Sequence, residues 1–262
     1  MSKPIIYQIL PRLWGNKTEN PVENGSLAEN GTGKFSDIDD ASLEYFKWLG
    51  CSHIWYTGVL RHSTQADSQG CTPSHPQFVK GNAGSPYAIC DYYDVNAYLA
   101  DDPDKRMEEF ESLVERTHEK GLKVIIDFVP NHVARDYGKT GFTAGHPVLG
   151  ADDDRSVHWK AENDFFYYPG EALRLPTPCP KGHKPYCESP AMATGNNCYK
   201  ATPVSFSPVA LTAVAGNAIR ASLSLGSMAD IISERREISK LPASVILGSI
   251  WGIVCAMFQS QL

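Results

Sequence analysis

Between Ile5 and Val129 the sequence passes twice from a short apolar run into an amphipathic stretch and back, and this alternation constrains the fold more than any other feature. The run Ile5-Ile6-Tyr7-Gln8-Ile9-Leu10 has the length of a buried strand and stops at Pro11. Leu43, Phe46 and Leu49 recur at helical spacing behind the acidic stretch from Asp37 to Asp40, and Gly50 closes the segment. From Ser52 to Thr57 the residues are again β-branched and aromatic. In the second cycle Asp102 and Pro103 offer an N-cap and a first helical position. Met107, Phe110, Leu113, Val114 and Thr117 share one face, and Gly121 ends the helix. Leu122 to Val129 is nearly continuous apolar sequence, as in a parallel strand covered on both sides. The order β-α-β-α-β predicts an α/β protein with a parallel sheet, either open or closing into a barrel.

The rest of the chain does not continue the pattern. Residues 133–202 are loop-rich, aromatic and polar, and read as an inserted subdomain; residues 203–262 form an atypical tail. All 12 tyrosines and all 8 histidines precede Pro203, and no charge follows Lys240. Ser227 to Leu241 has the spacing of an amphipathic helix, and the apolar heart from Val245 to Phe258 is shorter than the roughly 20 residues a membrane span needs. A membrane partner is therefore not expected. Nor is a nucleic acid, because 24 Lys+Arg against 30 Asp+Glu leave a net charge of −6 where a phosphate binder would concentrate positive charge. No secretory signal is visible at Met1-Ser2-Lys3-Pro4, so the expected location is cytoplasmic. Seven cysteines, an odd number in a chain this large, read as free thiols. The sequons at Asn16, Asn24 and Asn30 read as loop chemistry. Cys179, His183, Cys187 and Cys198 are ligand types suited to zinc, but C-x3-H-x3-C-x10-C is not a standard finger and reads as a chance grouping.

The stretch with the most chemistry is Asp127-Phe128-Val129-Pro130-Asn131-His132, where the third strand ends. Alternation places Asp127 on one face with Ile125 and Val129, near the carboxyl-end rim where α/β sheets assemble their sites. In this setting the chain resembles the α-amylase family of glycoside hydrolases. Ile6 to Arg12 looks like the family's opening strand, and Leu49 to Trp55 like the approach to its second. Ser85-Pro86-Tyr87 through Asp91-Tyr92-Tyr93-Asp94-Val95 is similar to the loop before its second helix. Gly121 to His132 is similar to its first signature region, and Glu188 to Tyr199 more weakly to its inserted subdomain.

The resemblance implies a (β/α)8 barrel, here truncated: residues 1–132 are its N-terminal part, 133–202 a subdomain inserted after strand 3, and 203–262 a tail from a shifted reading frame or gene truncation. It implies an α-glucan or maltooligosaccharide as partner. Tyr87 would stack on the sugar, His132 would hydrogen-bond its hydroxyls, Asn131 would give its side-chain oxygen to calcium, and Asp127 would orient neighbouring site residues. Hydrolysis needs two flanking carboxyl groups. In the family a GxRxD pattern carries the nucleophile and a later Glu the acid; this sequence contains no GxRxD. The expected function is therefore a glycosidase of the α-amylase type acting on α-1,4-glucans that lacks both catalytic carboxylates, or a non-catalytic glucan-binding remnant.

Overall fold

The computed structural model describes residues 3–67, 71–129, 132–139, 145, 148–175, 178–193 and 209–211. In chain order the elements are β1 (Ile6–Ile9), α1 (Leu27–Asn30), α2 (Asp40–Trp48), β2 (His53–Tyr56), β3 (Leu60–His62), β4 (Ile89–Val95), α3 (Arg106–Glu119), β5 (Lys123–Ile126), β6 (His132–Ala134), β7 (Tyr167–Tyr168), β8 (Ala191–Met192) and β9 (Val209–Leu211). The centre is a parallel sheet in the order β1-β2-β5, with Tyr7 opposite Ile54 and Ile54 opposite Val124. The described residues contain no closed barrel.

Each element follows from local chemistry. Asp39 caps α2 by accepting from the Ser42 amide at 2.9 Å. Leu43 and Phe46 are fully buried, but Leu49 lies beyond the last helical turn and is 39% exposed, so the apolar spacing overreached by one residue. Asp102 accepts from the Asp104 amide, and Pro103–Lys105 form a 3-10 turn that runs into α3. Phe110, Leu113, Val114 and Thr117 face the sheet as their spacing requires. The Thr117 hydroxyl donates to the Leu113 carbonyl at 2.7 Å and meets the Tyr56 hydroxyl at 2.7 Å, which joins α3 to β2.

One side of the sheet is covered. The ring of Tyr7 lies 4.8 Å from that of Phe46, and Ile54, Tyr56, Phe35, Phe110 and Leu113 close the same core. The other side carries Gln8, Trp55 and Ile125, aligned across the three strands. These are exposed or half-buried, and so is the adjoining Ile6.

The longest strand, β4, lies in the stretch read from sequence as a loop. Asp91 and Asp94 interrupt its apolar run, yet all seven residues are buried. Arg106 binds the Asp94 carboxylate through Nε at 2.7 Å and Nη2 at 3.0 Å, and Arg61 approaches it at 3.3 Å. Partners 12 and 33 residues away thus make burial of that charge tolerable. The Asn-rich segment read from sequence as a loop contains one helical turn, α1, which ends at Asn30; around it Asn16 Oδ1 accepts from the Thr18 amide, and Asn30 both accepts from and donates to the Val22 backbone. Cys51, Cys71, Cys90, Cys179 and Cys187 are free thiols. The helix expected over Ser227 to Leu241 and the apolar run from Val245 lie outside the described residues. Among those described, no helix is long and apolar enough to cross a membrane.

Candidate functional site

The carboxyl ends of β1, β2 and β5 meet at one rim, and the residue following β5 is Asp127. Its carboxylate is 7% exposed and well supplied with donors. Trp55 Nε1–H donates to Oδ1 at 2.9 Å, the Gly58 amide donates to Oδ2 at 3.1 Å, and the Thr57 hydroxyl adds a third bond. Burial nonetheless holds the Asp127 carboxyl above its ordinary range, against these three donors. Thr57 also accepts from Gln8 Nε2 at 2.7 Å, so side chains from all three strands converge here. Gly58 has φ +73°, and a Cβ there would stand 2.8 Å from Pro86 Cβ; only glycine delivers this amide without moving the Pro86–Tyr87 segment.

Tyr87 and His132 belong to the same rim. A His132 ring N–H donates to the Tyr87 carbonyl, and the Asp127 charge acts on the Tyr87 hydroxyl. Burial, and then Asp127, push the Tyr87 hydroxyl above its ordinary value; burial pushes the His132 ring below its own. A mostly neutral imidazole beside a half-buried phenol ring can both stack and exchange hydrogen bonds with an uncharged polyol. The structure therefore brings together three of the four residues picked out from sequence. Asn131, the fourth, lies outside the described residues.

The loop that carries Tyr87 is held from below. Arg12 Nη1 donates to the carbonyls of Ala83 and Gly84 at 3.3 and 3.1 Å. The buried His62 ring reaches Ala83 O through Nε2 at 3.3 Å, with the Tyr98 hydroxyl at 3.1 Å and Asn96 Nδ2 at 2.9 Å on its two nitrogens. Burial first, then the Arg12 charge, push the His62 ring down to about 4. Trp55, Thr57, Gly58, Arg12 and His62 were not picked out from sequence. Only Trp55 left a signal, since period-two spacing in β2 turns it to the face Asp127 shares.

The two ends of the inserted segment are joined by charge. Arg135, with no exposed surface, binds Glu188 Oε1 at 2.7 Å and the Met192 carbonyl at 2.8 Å, all through Nη1. The cysteine-histidine grouping spends its thiols on backbone: Cys179 donates to the His183 carbonyl at 3.3 Å and Cys187 to that of Pro185 at 3.6 Å. Cys198 lies outside the described residues. Among those described, no group of three or more His, Cys, Asp or Glu side chains could hold a metal ion.

Comparison with known proteins bears on the same segment. The chain is 30% identical over 135 residues to the trehalose-6-phosphate hydrolase of Bacillus subtilis (strain 168), covering 52% of this chain and 18% of that protein. It is 31% identical over 129 residues to the amino acid transporter heavy chain SLC3A1 of Homo sapiens, covering 49% of this chain and 14% of that one. Among solved structures, the trehalose-6-phosphate hydrolase of Bacillus licheniformis aligns with 28% identity and a TM-score of 0.35, over 52% of this chain and 18% of its own. The chain thus spans less than a fifth of these relatives. The profile of the alpha amylase catalytic domain matches residues 8–176, well over half of the sequence, and on that match the chain belongs to the alpha-amylase family.

Proposed function

We propose that residues 1–132 are the sugar-binding part of a (β/α)8 barrel, here truncated, of a glycosidase that acts on α-1,4-glucans. The observation that carries this reading is the meeting of Tyr87, His132 and Asp127 at the carboxyl ends of three parallel strands. Tyr87 offers its ring to the apolar face of a glucosyl unit, and His132 bonds that unit's hydroxyls. Asp127 is a positioning residue. With its oxygens taken by Trp55, Thr57 and Gly58, it fixes the rim and does not attack the anomeric carbon. Retaining hydrolysis needs a nucleophile and an acid on either side of the bond. No GxRxD supplies them, so this chain binds maltooligosaccharides without cleaving them, as a catalytically incomplete fragment. Calcium held through Asn131 remains an expectation of the family. Asn131 lies outside the described residues, and among those described no group of three or more His, Cys, Asp or Glu side chains could hold a metal ion. Metal analysis of the purified protein reads calcium and zinc together.

Titration with maltoheptaose, followed by saturation-transfer NMR and by a reducing-sugar assay, tests the proposal. Binding without turnover is expected, weakened roughly tenfold in Tyr87→Ala, in line with the loss of one aromatic contact. Turnover by the pure chain would show that it holds its own acid and nucleophile. Binding indifferent to Tyr87 would move the sugar site elsewhere.

A further inference from the structure

The inserted subdomain carries an aromatic surface to which the rim site makes no claim. At β7 the side chains of Tyr168 and of Phe166, the residue just before the strand, fall on one side, against His158, and that of Tyr167, which is buried, on the other. The segment at His158 runs alongside: the Tyr167 amide donates to the His158 carbonyl at 3.0 Å, and His158 Nδ1 meets the Tyr167 carbonyl at 2.6 Å. These bonds set the His158 ring between the other two. Its centroid is 5.5 Å from that of Tyr168 with 26° between the planes, and 5.7 Å from that of Phe166 with 40°. Trp159, the next residue, is 54% exposed, and Tyr168 is 37% exposed. The exposed rings of His158 and Tyr168 therefore sit with the half-buried Phe166, and the exposed indole of Trp159 follows His158 in the chain, in place of a scatter of single apolar residues.

The polar atoms of this strip narrow the choice of partner. A carbonyl can only accept, so His158 Nδ1 carries the proton and Nε2 keeps its lone pair in the neutral ring. Tyr168 adds a hydroxyl. A row of ring faces edged by an acceptor and a hydroxyl matches a molecule with an apolar C–H face and a fringe of hydroxyls, which is the build of a pyranose. We infer that Phe166, His158, Tyr168 and Trp159 form a second saccharide platform, on which successive units of an α-glucan chain lie flat. The inference rests on the glucan reading above for the kind of sugar, but not for the existence of the strip.

Native affinity electrophoresis of the full chain in gels containing soluble amylose separates the two claims. Four proteins are run: the unaltered chain, Tyr87→Ala, Tyr168→Ala and the double variant Trp159→Ala/Tyr168→Ala, whose altered side chains are exposed enough to leave folding intact by circular dichroism. The platform predicts strong retardation of the unaltered chain. It also predicts an apparent affinity reduced about tenfold in the double variant, with Tyr168→Ala between. Retardation of the double variant equal to that of the unaltered chain, but lost in Tyr87→Ala, overturns the platform and leaves the rim site standing. The reverse pattern keeps the platform and overturns the rim assignment. An unaltered chain that migrates as freely with amylose as without it overturns both.

Discussion

His62 is the residue through which pH should act on this fold, and the size of its effect follows from its surroundings. The ring is buried with Asn96 Nδ2 at 2.9 Å from Nδ1 and the Ala83 carbonyl at 3.3 Å from Nε2, an arrangement that suits the neutral form. A second proton would sit against the Asn96 amide donor and in the field of Arg12. In the unfolded chain the ring titrates near its ordinary 6.5, and in the folded protein at about 4. Above pH 6.5 both states are neutral and the residue has no effect on stability. As pH falls through 6.5 the unfolded state takes up a proton that the folded state refuses, and stability is lost down to the folded value near 4. At about 1.4 kcal/mol per pH unit, a gap of 6.5 − 4 costs about 3 kcal/mol. Urea midpoints measured from pH 7.5 to pH 4.5, for the unaltered chain and for His62→Gln, isolate this contribution. His53, His118 and His132 are also held below their ordinary values, so they bend both curves alike. The unaltered chain should lose about 2–3 kcal/mol more than the variant over that interval. Parallel pH profiles for the two proteins would refute the reasoning.

Two further substitutions probe the supports of the site. Glu188→Ala leaves the Arg135 guanidinium buried without its carboxylate and should cost about 3–5 kcal/mol in denaturant unfolding; a loss below about 1 kcal/mol would mean that water or another acceptor replaces it. Gly84→Ala places a Cβ 1.8 Å from the Ser63 carbonyl oxygen at a φ of +70°, so the loop that carries Tyr87 must shift. The expected result is a lower melting temperature together with weaker maltoheptaose binding, and an alanine variant equal to the unaltered chain in both would contradict this loop geometry.

The parts of the fold that rest on neighbouring residues were legible in the sequence. The periods of α2 and α3, their caps and the glycines that end them place the first two parallel strands within a residue at each end, while the third ends at Ile126, three residues before its apolar run does. The strand β4 was not legible, because Asp91 and Asp94 break the apolar run and the compensation of Asp94 by Arg61 and Arg106 comes from elsewhere in the chain. The same distinction applies at the rim. Asp127, Tyr87 and His132 stand out by motif and resemblance, whereas Trp55, Thr57 and Gly58 matter only because parallel pairing brings the end of β2 beside that of β5. Arg12 and His62 act through backbone carbonyls, and a carbonyl leaves no trace in residue identity.

Within the described residues β1 and β5 are each paired on one flank alone, and both point the same way. The outer flank of β5 in one molecule could therefore accept the outer flank of β1 from another without reversing direction. Such a junction uses two different surfaces, so it leaves at each end of the growing stack the same pair of flanks it began with. Within the described residues the central sheet thus presents two unlike flanks that run in one direction, each a template for a further strand.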